Sequence, residues 1–245
     1  MLSTRWVITE KESDGESLVK ARLVIRGFEE ETPVKSDSPT AHKESMRMFL
    51  AACSTKGYNI HSIDIKAAFL QGQTIDRVIH VQPPKEYETK GQIWKLNKCV
   101  YGLVDASRTW FLSVKTELEL LKCEQSKLDP AVFYWHQEGH LSGLFLMHVD
   151  DFLWAGDNKF QQNVIVPLRT KFRCGKEMDN NFRYIGIDIE KSDDQINVHQ
   201  HEYIQELRQI DQTINSSLIR NDMYPELVGQ LHWVASQSRP DLCFD

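Results

Sequence analysis

Two stretches of apolar, strand-forming sequence carry carboxylates that such strands ordinarily reject. Asp64 lies in Ile63-Asp64-Ile65-Lys66-Ala67-Ala68-Phe69, and the pair Asp150-Asp151 lies in Leu146-Met147-His148-Val149-Asp150-Asp151-Phe152. An ionised side chain in such a setting is costly to desolvate unless something positive meets it. One solution is a hard cation such as magnesium, which takes one or two carboxylates and completes its shell with water and phosphate oxygens. Plainer solutions exist for each acid taken alone. An Asp-Asp pair between two apolar runs suits a tight hairpin turn, and a single aspartate suits a strand end satisfied by backbone N–H groups.

The bulk properties narrow the field. A chain of 245 residues can bury a substantial core as one large domain or two small ones. With 41% hydrophobic and 26% charged residues it is not a disordered polymer. Its apolar runs, such as Leu144 to Met147, fall far short of the ~20 residues of a membrane span, so no membrane association is expected. The start, Met1-Leu2-Ser3-Thr4-Arg5-Trp6, lacks the apolar stretch and cleavage site of a secretory signal, and the protein is expected not to be secreted. The five cysteines are scattered, with no Cys-x2-Cys spacing, which points to reduced thiols in a cytoplasmic setting rather than to disulfides or zinc. A net charge of −6 argues against a uniformly basic nucleic-acid binder, although the distribution of charge matters more than its sum.

Periodicity divides the chain into short elements. Residues 5–9 and 18–26 predict a hairpin around 13–15, followed by an acidic loop from Glu29 to Thr40. Met46, Phe49, Leu50 and Cys53 predict a helix over 42–56. Strands are expected at 60–65, 78–82 (stopped by Pro83-Pro84) and 92–96. A helix over 106–122 has Trp110, Val114, Leu118 and Leu121 as its stripe and Asp105 at the N-cap. Strands follow at 131–136 and 141–149 around Gln137-Glu138-Gly139, and at 152–155. Asp157 opens a helix to Phe172 that Pro167 should kink. A hairpin of 182–190 and 195–199 across Asp193-Asp194 precedes a final helix with Leu227, Val228, Leu231 and Val234 on one face. With no regular β-α-β period, the fold class is α+β. His136-x3-His140 has no metal-site context and reads as loop.

Six blocks, in order, carry a family resemblance: Lys20-Ala21-Arg22-Leu23-Val24-Ile25-Arg26-Gly27-Phe28; Asp64-Ile65-Lys66-Ala67-Ala68-Phe69-Leu70-Gln71-Gly72; Val100-Tyr101-Gly102-Leu103 with Ala106, Arg108 and Trp110; Val149-Asp150-Asp151; Tyr184-Ile185-Gly186-Ile187-Asp188-Ile189; and Leu227-Val228-Gly229 with Arg239-Pro240-Asp241. Together they resemble the reverse transcriptases of Ty/copia-type LTR retrotransposons. The resemblance implies a right-hand polymerase fold with an antiparallel palm sheet. Fingers would occupy 1–57 with 73–99, the palm 58–190, and the start of a thumb or connection 191–245.

The activity implied is RNA-directed DNA polymerisation, adding dNTPs to a primer by two-magnesium nucleotidyl transfer, with Mn2+ as an alternative ion. Asp64 and Asp150 would be the principal ligands of both ions, with Asp151 more peripheral. Lys20 and Arg22 would reach the triphosphate, and Phe69 would lie under the deoxyribose and exclude a 2′-hydroxyl. Asp105 and Arg108 fall in the block beside the nucleotide pocket. His148 stands where the family usually has tyrosine, and Asp105 and Ser107 replace the usual Gln and Pro. Asp105 is expected to cap the helix, with pairing to Arg108 or a weakened nucleotide pocket as the alternatives. The segment between Asp211 and Met223 reads as shorter than in relatives. Implied partners are an RNA or DNA template with its primer, dNTPs, and other polyprotein parts (ribonuclease H, integrase, capsid), within a cytoplasmic virus-like particle. The alternative function is a truncated, non-catalytic remnant that folds without polymerising. A metal-dependent nuclease would use the same acids but gives Phe69, Lys20 and Arg22 nothing to do.

Overall fold

A computed structural model describes residues 1–13, 16–87, 91–193, 195–207 and 223–244. The chain opens with β1 (Thr4–Ser13) and β2 (Glu16–Ile25), an antiparallel ribbon in unbroken register from Thr4↔Ile25 to Ser13↔Glu16. It is longer than the expected hairpin, and residues 14–15 at its tip lie outside the described residues. Because side chains alternate across a ribbon, Trp6, Ile8, Val19 and Ala21 share one face while Arg5, Lys20 and Arg22 share the other.

The next elements are α1 (Lys43–Lys56), β3 (Ile60–Ile65) and the single turn α2 (Ala68–Gln71). The expected strands at 78–82 and 92–96 contract to the two-residue pair β4 (His80–Val81) and β5 (Trp94–Lys95). Then come α3 (Ala106–Leu120), β6 (Glu124–Gln125), β7 (Val132–Gln137), β8 (His140–His148) and β9 (Asp151–Gly156). Glu138 and Gly139, with φ of 51° and 79°, make the two-residue turn joining β7 to β8. Asp157 caps α4 (Asn158–Phe160) as expected, its carboxylate accepting from the Phe160 N–H at 2.9 Å.

Ahead of Pro167 the helix leaves regular α geometry: residues Gln161–Ile165 wind as a wider π turn that runs directly into α5 (Val166–Lys171), whose first turn holds Pro167. The strand β10 (Cys174–Asp179) was not expected, since Cys174-Gly175-Lys176-Glu177-Met178-Asp179 shows no apolar alternation. The strand expected over 182–190 is split into β11 (Asn181–Tyr184) and β12 (Ile187–Lys191) by Ile185 and Gly186, whose left-handed φ of 50° and 75° turn the chain. β13 (Ile196–His199), α6 (His201–Gln205), α7 (Met223–Gln237) and a closing 3-10 turn at Pro240–Phe244 complete the described order; residues 208–222, where the shortened segment was expected, lie outside it. Val234 is buried on α7, but Val228 and Leu231 remain about half exposed, so the expected apolar face is only partly covered. No described helix is long and apolar enough to cross a membrane.

The centre is a six-stranded, wholly antiparallel sheet of order β10-β3-β9-β8-β7-β6. Period-two alternation sends Ile63, Phe145, Met147, Phe152 and Trp154 to one face, where they pack on Trp110, Val114 and Leu118 of α3 and on Phe160 and Leu168. The opposite face buries Ile60, Leu146, Leu153 and Ala155 beneath α1 and the β11–β12 hairpin. Each such apolar side chain contributes about 1.5–3 kcal/mol on burial. A third, smaller core of Leu2, Ile25, Val81, Cys99, Leu103 and Ala106 joins the base of the ribbon to β4, β5 and α3. The ribbon is tied down by Ile25 N–H to the Tyr101 carbonyl (2.8 Å), Gly27 N–H to Gly102 (3.1 Å) and Leu2 N–H to His80 (2.9 Å). Gly27 has no room for a side chain, since a Cβ there would come 2.2 Å from the Gly102 carbonyl oxygen.

Candidate active site

The acids singled out by the sequence meet at the ends of two neighbouring strands. Asp64, near the end of β3, is the register partner of Asp151 at the start of β9, and His148 at the end of β8 faces Asp151 from the other side. Directly opposed residues on antiparallel strands have Cα atoms about 4.5–5.5 Å apart and point to the same face. Asp150 occupies the β8–β9 turn, and its carbonyl accepts from the Ile65 N–H at 2.9 Å, which locks the turn to β3. Asp64 is exposed, while Asp150 and Asp151 are half-buried. Burial, with the charges of Asp150 and Asp64 behind it, raises the Asp151 carboxyl to about 6. Among the described residues, no lysine or arginine forms an ion pair with any of the three. The cluster is therefore an oxygen-rich site short of positive charge. Carboxylate oxygens are the donor type that a hard divalent cation takes, although these three groups do not all lie within 4.8 Å of one another.

Two strained turns present these acids. Val149 has φ 57°, a left-handed conformation that β-branched residues avoid. Its carbonyl accepts from the indole N–H of Trp110 at 2.8 Å. Trp110 is 1% exposed, parallel to Phe152 at 6.2 Å and edge-on to Phe172 at 4.9 Å, so its position is over-determined. Ala67 has φ 50° at the turn into α2. There Gln71 binds the Lys66 carbonyl at 2.6 Å and the Arg173 carbonyl at 3.1 Å, fastening the end of β3 to the chain entering β10. Gly175 of β10 lies directly against Asp64: a Cβ on it would stand 2.6 Å from Asp64 Oδ2.

The ribbon brings cations to the same region. Arg22 is half-buried, with its guanidinium 5.9 Å from the centre of the Tyr101 ring; Lys20, on the same ribbon face, is exposed. Burial raises the Tyr101 phenol, and the charges of Asp150 and Asp64 push the same way while Arg22 opposes them, so this ring feels both the cation and the acids. Phe69 is half-buried and meets Tyr101 edge to face at 4.9 Å and 62°. A cavity of about 480 Å³ lies beside these groups, with Lys20, Arg22, Ala67, Leu70, Trp94 and Tyr101 in its wall.

Asp105 and Arg108 behave otherwise than expected. Asp105 occupies the N-cap position of α3 but makes no capping hydrogen bond, and it does not pair with Arg108. Both of its carboxylate oxygens go to Arg77, at 2.7 and 2.9 Å, and Arg77 also grips Glu30 at 2.6 and 3.1 Å. A bidentate guanidinium outcompetes a backbone N–H for a buried carboxylate. Arg108 instead donates to the Asp37 carbonyl at 3.0 Å and pins the loop ahead of α1. Sequence reasoning gave no role at the site to Tyr101 or Arg77, and gave Trp110 only a place on the apolar stripe of its helix. Tyr101 and Trp110 stood within recognised blocks, but Arg77 had no local signal. Away from the site, His61, Glu177 and Asp179 cluster where β3 meets the edge strand β10, and Arg169 already neutralises Glu177.

Comparison with known proteins places this geometry. The model of the family described as "Reverse transcriptase (RNA-dependent DNA polymerase)" matches residues 1–219. The chain is 26% identical over 271 residues to the retrovirus-related Pol polyprotein from transposon RE1 of Arabidopsis thaliana, covering all of this chain and 18% of that one. It is 30% identical over 166 residues to the Pol polyprotein from transposon TNT 1-94 of Nicotiana tabacum, covering 64% of this chain and 12% of that one. The chain thus spans less than a fifth of the length of these relatives. Among solved structures it resembles a foamy viral protease-reverse transcriptase in complex with double-stranded DNA, with a TM-score of 0.51, 11% identity, and coverage of 93% of this chain and 35% of that one. That likeness concerns the fold alone, which is the right-hand polymerase fold, α+β around an antiparallel palm sheet. With the family match running through every element that builds the site, the chain belongs to the reverse transcriptases of copia-type retrotransposons.

Proposed function

We propose that this chain extends a primer on an RNA or DNA template with dNTPs, as the polymerase part of a longer retrotransposon polyprotein. The observation that carries this reading is the register pairing of Asp64 with Asp151, with Asp150 in the adjoining turn. Asp64 and Asp150 would hold two magnesium ions, and Asp151, in a more buried setting, would support them. Bound there, the ions would activate the primer 3′-hydroxyl and neutralise the leaving pyrophosphate, a role that Mn2+ could also fill.

The chain's own residues supply the rest. Lys20 and Arg22 project from one ribbon face and bind the phosphates, Arg22 as a fork and Lys20 as a point charge. Phe69 lies under the sugar, where its ring leaves no space for a 2′-hydroxyl. Asp105 and Arg108, committed to Arg77 and to the Asp37 carbonyl, support the site from behind rather than touching nucleotide. In this reading the fingers comprise 1–57 with 73–99, the palm 58–190, and residues 191–245 begin a thumb or connection. Helix α1, within the fingers span, packs on the palm sheet and steadies both. Ribonuclease H, integrase and capsid parts would be the neighbours in a cytoplasmic particle.

The test is extension of a DNA primer on an RNA template with Mg2+ and dNTPs. Asp150→Asn should lower the rate by roughly a thousandfold or more, a loss of about 4 kcal/mol in transition-state stabilisation. A folded wild-type protein that binds template-primer and never extends it would leave the alternative, a non-catalytic remnant.

A further inference from the structure

Tyr101 is where three parts of the site meet. Its carbonyl accepts from the Ile25 N–H at 2.8 Å, fixing the base of β2. Its ring carries the Arg22 guanidinium 5.9 Å from its centre and meets the Phe69 ring edge to face at 4.9 Å. Phe69 also leans on the main core and on the ribbon-base core, so it is held from behind and faces Tyr101 in front. Edge-to-face pairs prefer a defined ring tilt, and a guanidinium over an aromatic face is held without losing its outward N–H donors.

We propose that Tyr101 is a specificity-determining positioning residue: its ring sets the tilt of Phe69 and the placement of Arg22, so that the grip on the nucleotide's phosphates and the exclusion of a 2′-hydroxyl are coupled. This rests on the polymerase reading above. Cutting Tyr101 back to alanine leaves a void between the two residues it braces. Phe69 can then swing into the space and open room beside the sugar, while Arg22 loses the face that aims it. A ring without the hydroxyl keeps both contacts, so Tyr101→Phe should behave like the wild type in selectivity.

The experiment measures kcat/KM for dNTP and for the matching rNTP on one primer–template. The enzymes compared are wild type, Tyr101→Phe, Tyr101→Leu and Tyr101→Ala, with Arg22→Ala alone and combined with Tyr101→Ala. Tyr101→Ala and Tyr101→Leu should lower the dNTP:rNTP ratio about tenfold, the size of one aromatic pair with one exposed cation–π contact. They should raise the KM for dNTP more than they lower kcat, and Tyr101→Phe should restore the ratio to within about twofold. The double variant should raise KM no further than the worse single one, since both changes disable the same grip. Tyr101→Leu fills the void, so it reads the ring's effect even where alanine unfolds the protein. Loss of kcat for both nucleotides with an unchanged ratio, or Tyr101→Phe losing as much selectivity as Tyr101→Ala, would overturn the proposal. Selective dNTP binding to the protein–primer–template complex in Ca2+ gives the same ratio without turnover. A wild type that binds selectively but never extends thus fails the polymerase reading separately from this one.

Discussion

The indole N–H of Trp110 donates to the backbone carbonyl of Val149 at 2.8 Å, and this one bond ties the back of the palm to the turn that carries Asp150 and Asp151. Val149 is held at φ 57°, a conformation its branched side chain disfavours, so the turn needs that support. Trp110→Phe keeps most of the packing but leaves a carbonyl without its donor. The expected outcome is a loss of about 1–3 kcal/mol in urea unfolding. It should come with a lower kcat for primer extension, while template-primer affinity stays within about twofold.

Arg77 holds two largely enclosed carboxylates, Glu30 and Asp105, whose side chains are 9% and 10% exposed. Removing it by Arg77→Ala strands both charges, and the expected destabilisation is about 3–5 kcal/mol. Arg77→Lys keeps the charge but forfeits the paired forks, and should fall between that variant and the wild type. Equilibrium unfolding of the three proteins checks the order.

Asp151 gives the metal-free protein a distinctive pH dependence. Its folded carboxyl titrates at about 6, above the 3.8 usual for aspartate, because burial and the charges of Asp150 and Asp64 disfavour its ionised form. The folded state therefore holds a proton that the unfolded state has released. Stability falls as pH rises through the window from about 4 to 6, by at most roughly 2–3 kcal/mol from this group. In metal-free buffer with chelator, Asp151→Asn should flatten that slope; an unchanged slope would show that the carboxyl is not set apart in this way.

Gly175 reaches the site from an edge strand far along the chain. A methyl group there would lie 2.6 Å from Asp64 Oδ2 and 3.1 Å from the Asp64 carbonyl oxygen, so Gly175→Ala should push the carboxylate aside with only a slight shift of the β3 backbone. Magnesium affinity, read from the rise in melting temperature with ion concentration, should weaken about tenfold, a change of about 1.4 kcal/mol. The melting temperature without ion should stay close to that of the wild type.

Elements whose side chains face one continuous core were legible in the sequence. Met46, Phe49, Leu50 and Cys53 mark α1, and Trp110, Val114 and Leu118 mark α3, because a single buried stripe imposes the helical period. The apolar runs around Asp64 and Asp150-Asp151 likewise marked three strands, β3, β8 and β9, which the fold sets side by side in a buried sheet. What escaped has a physical reason in each case. β10 is an edge strand whose Glu177 and Asp179 face water or ion partners, so no alternation betrays it. The turn at Ile185-Gly186 breaks a run of β-branched and aromatic residues that local propensity would keep whole. Asp105 had the right identity and position for a cap, but a half-buried arginine recruited from residue 77 took it instead. Such pairings depend on tertiary neighbours and leave no mark on adjacent residues.

The most direct test asks whether carboxylates from β3 and the β8–β9 turn serve one ion site. Magnesium binding should be titrated by calorimetry in wild type, Asp64→Asn, Asp150→Asn and the double variant. The expected result is binding in the wild type, weakened at least about tenfold by either single change, with the double variant little worse than the singles because they act on a shared site. Equal affinity in all four proteins, or fully additive losses, would contradict a joint site.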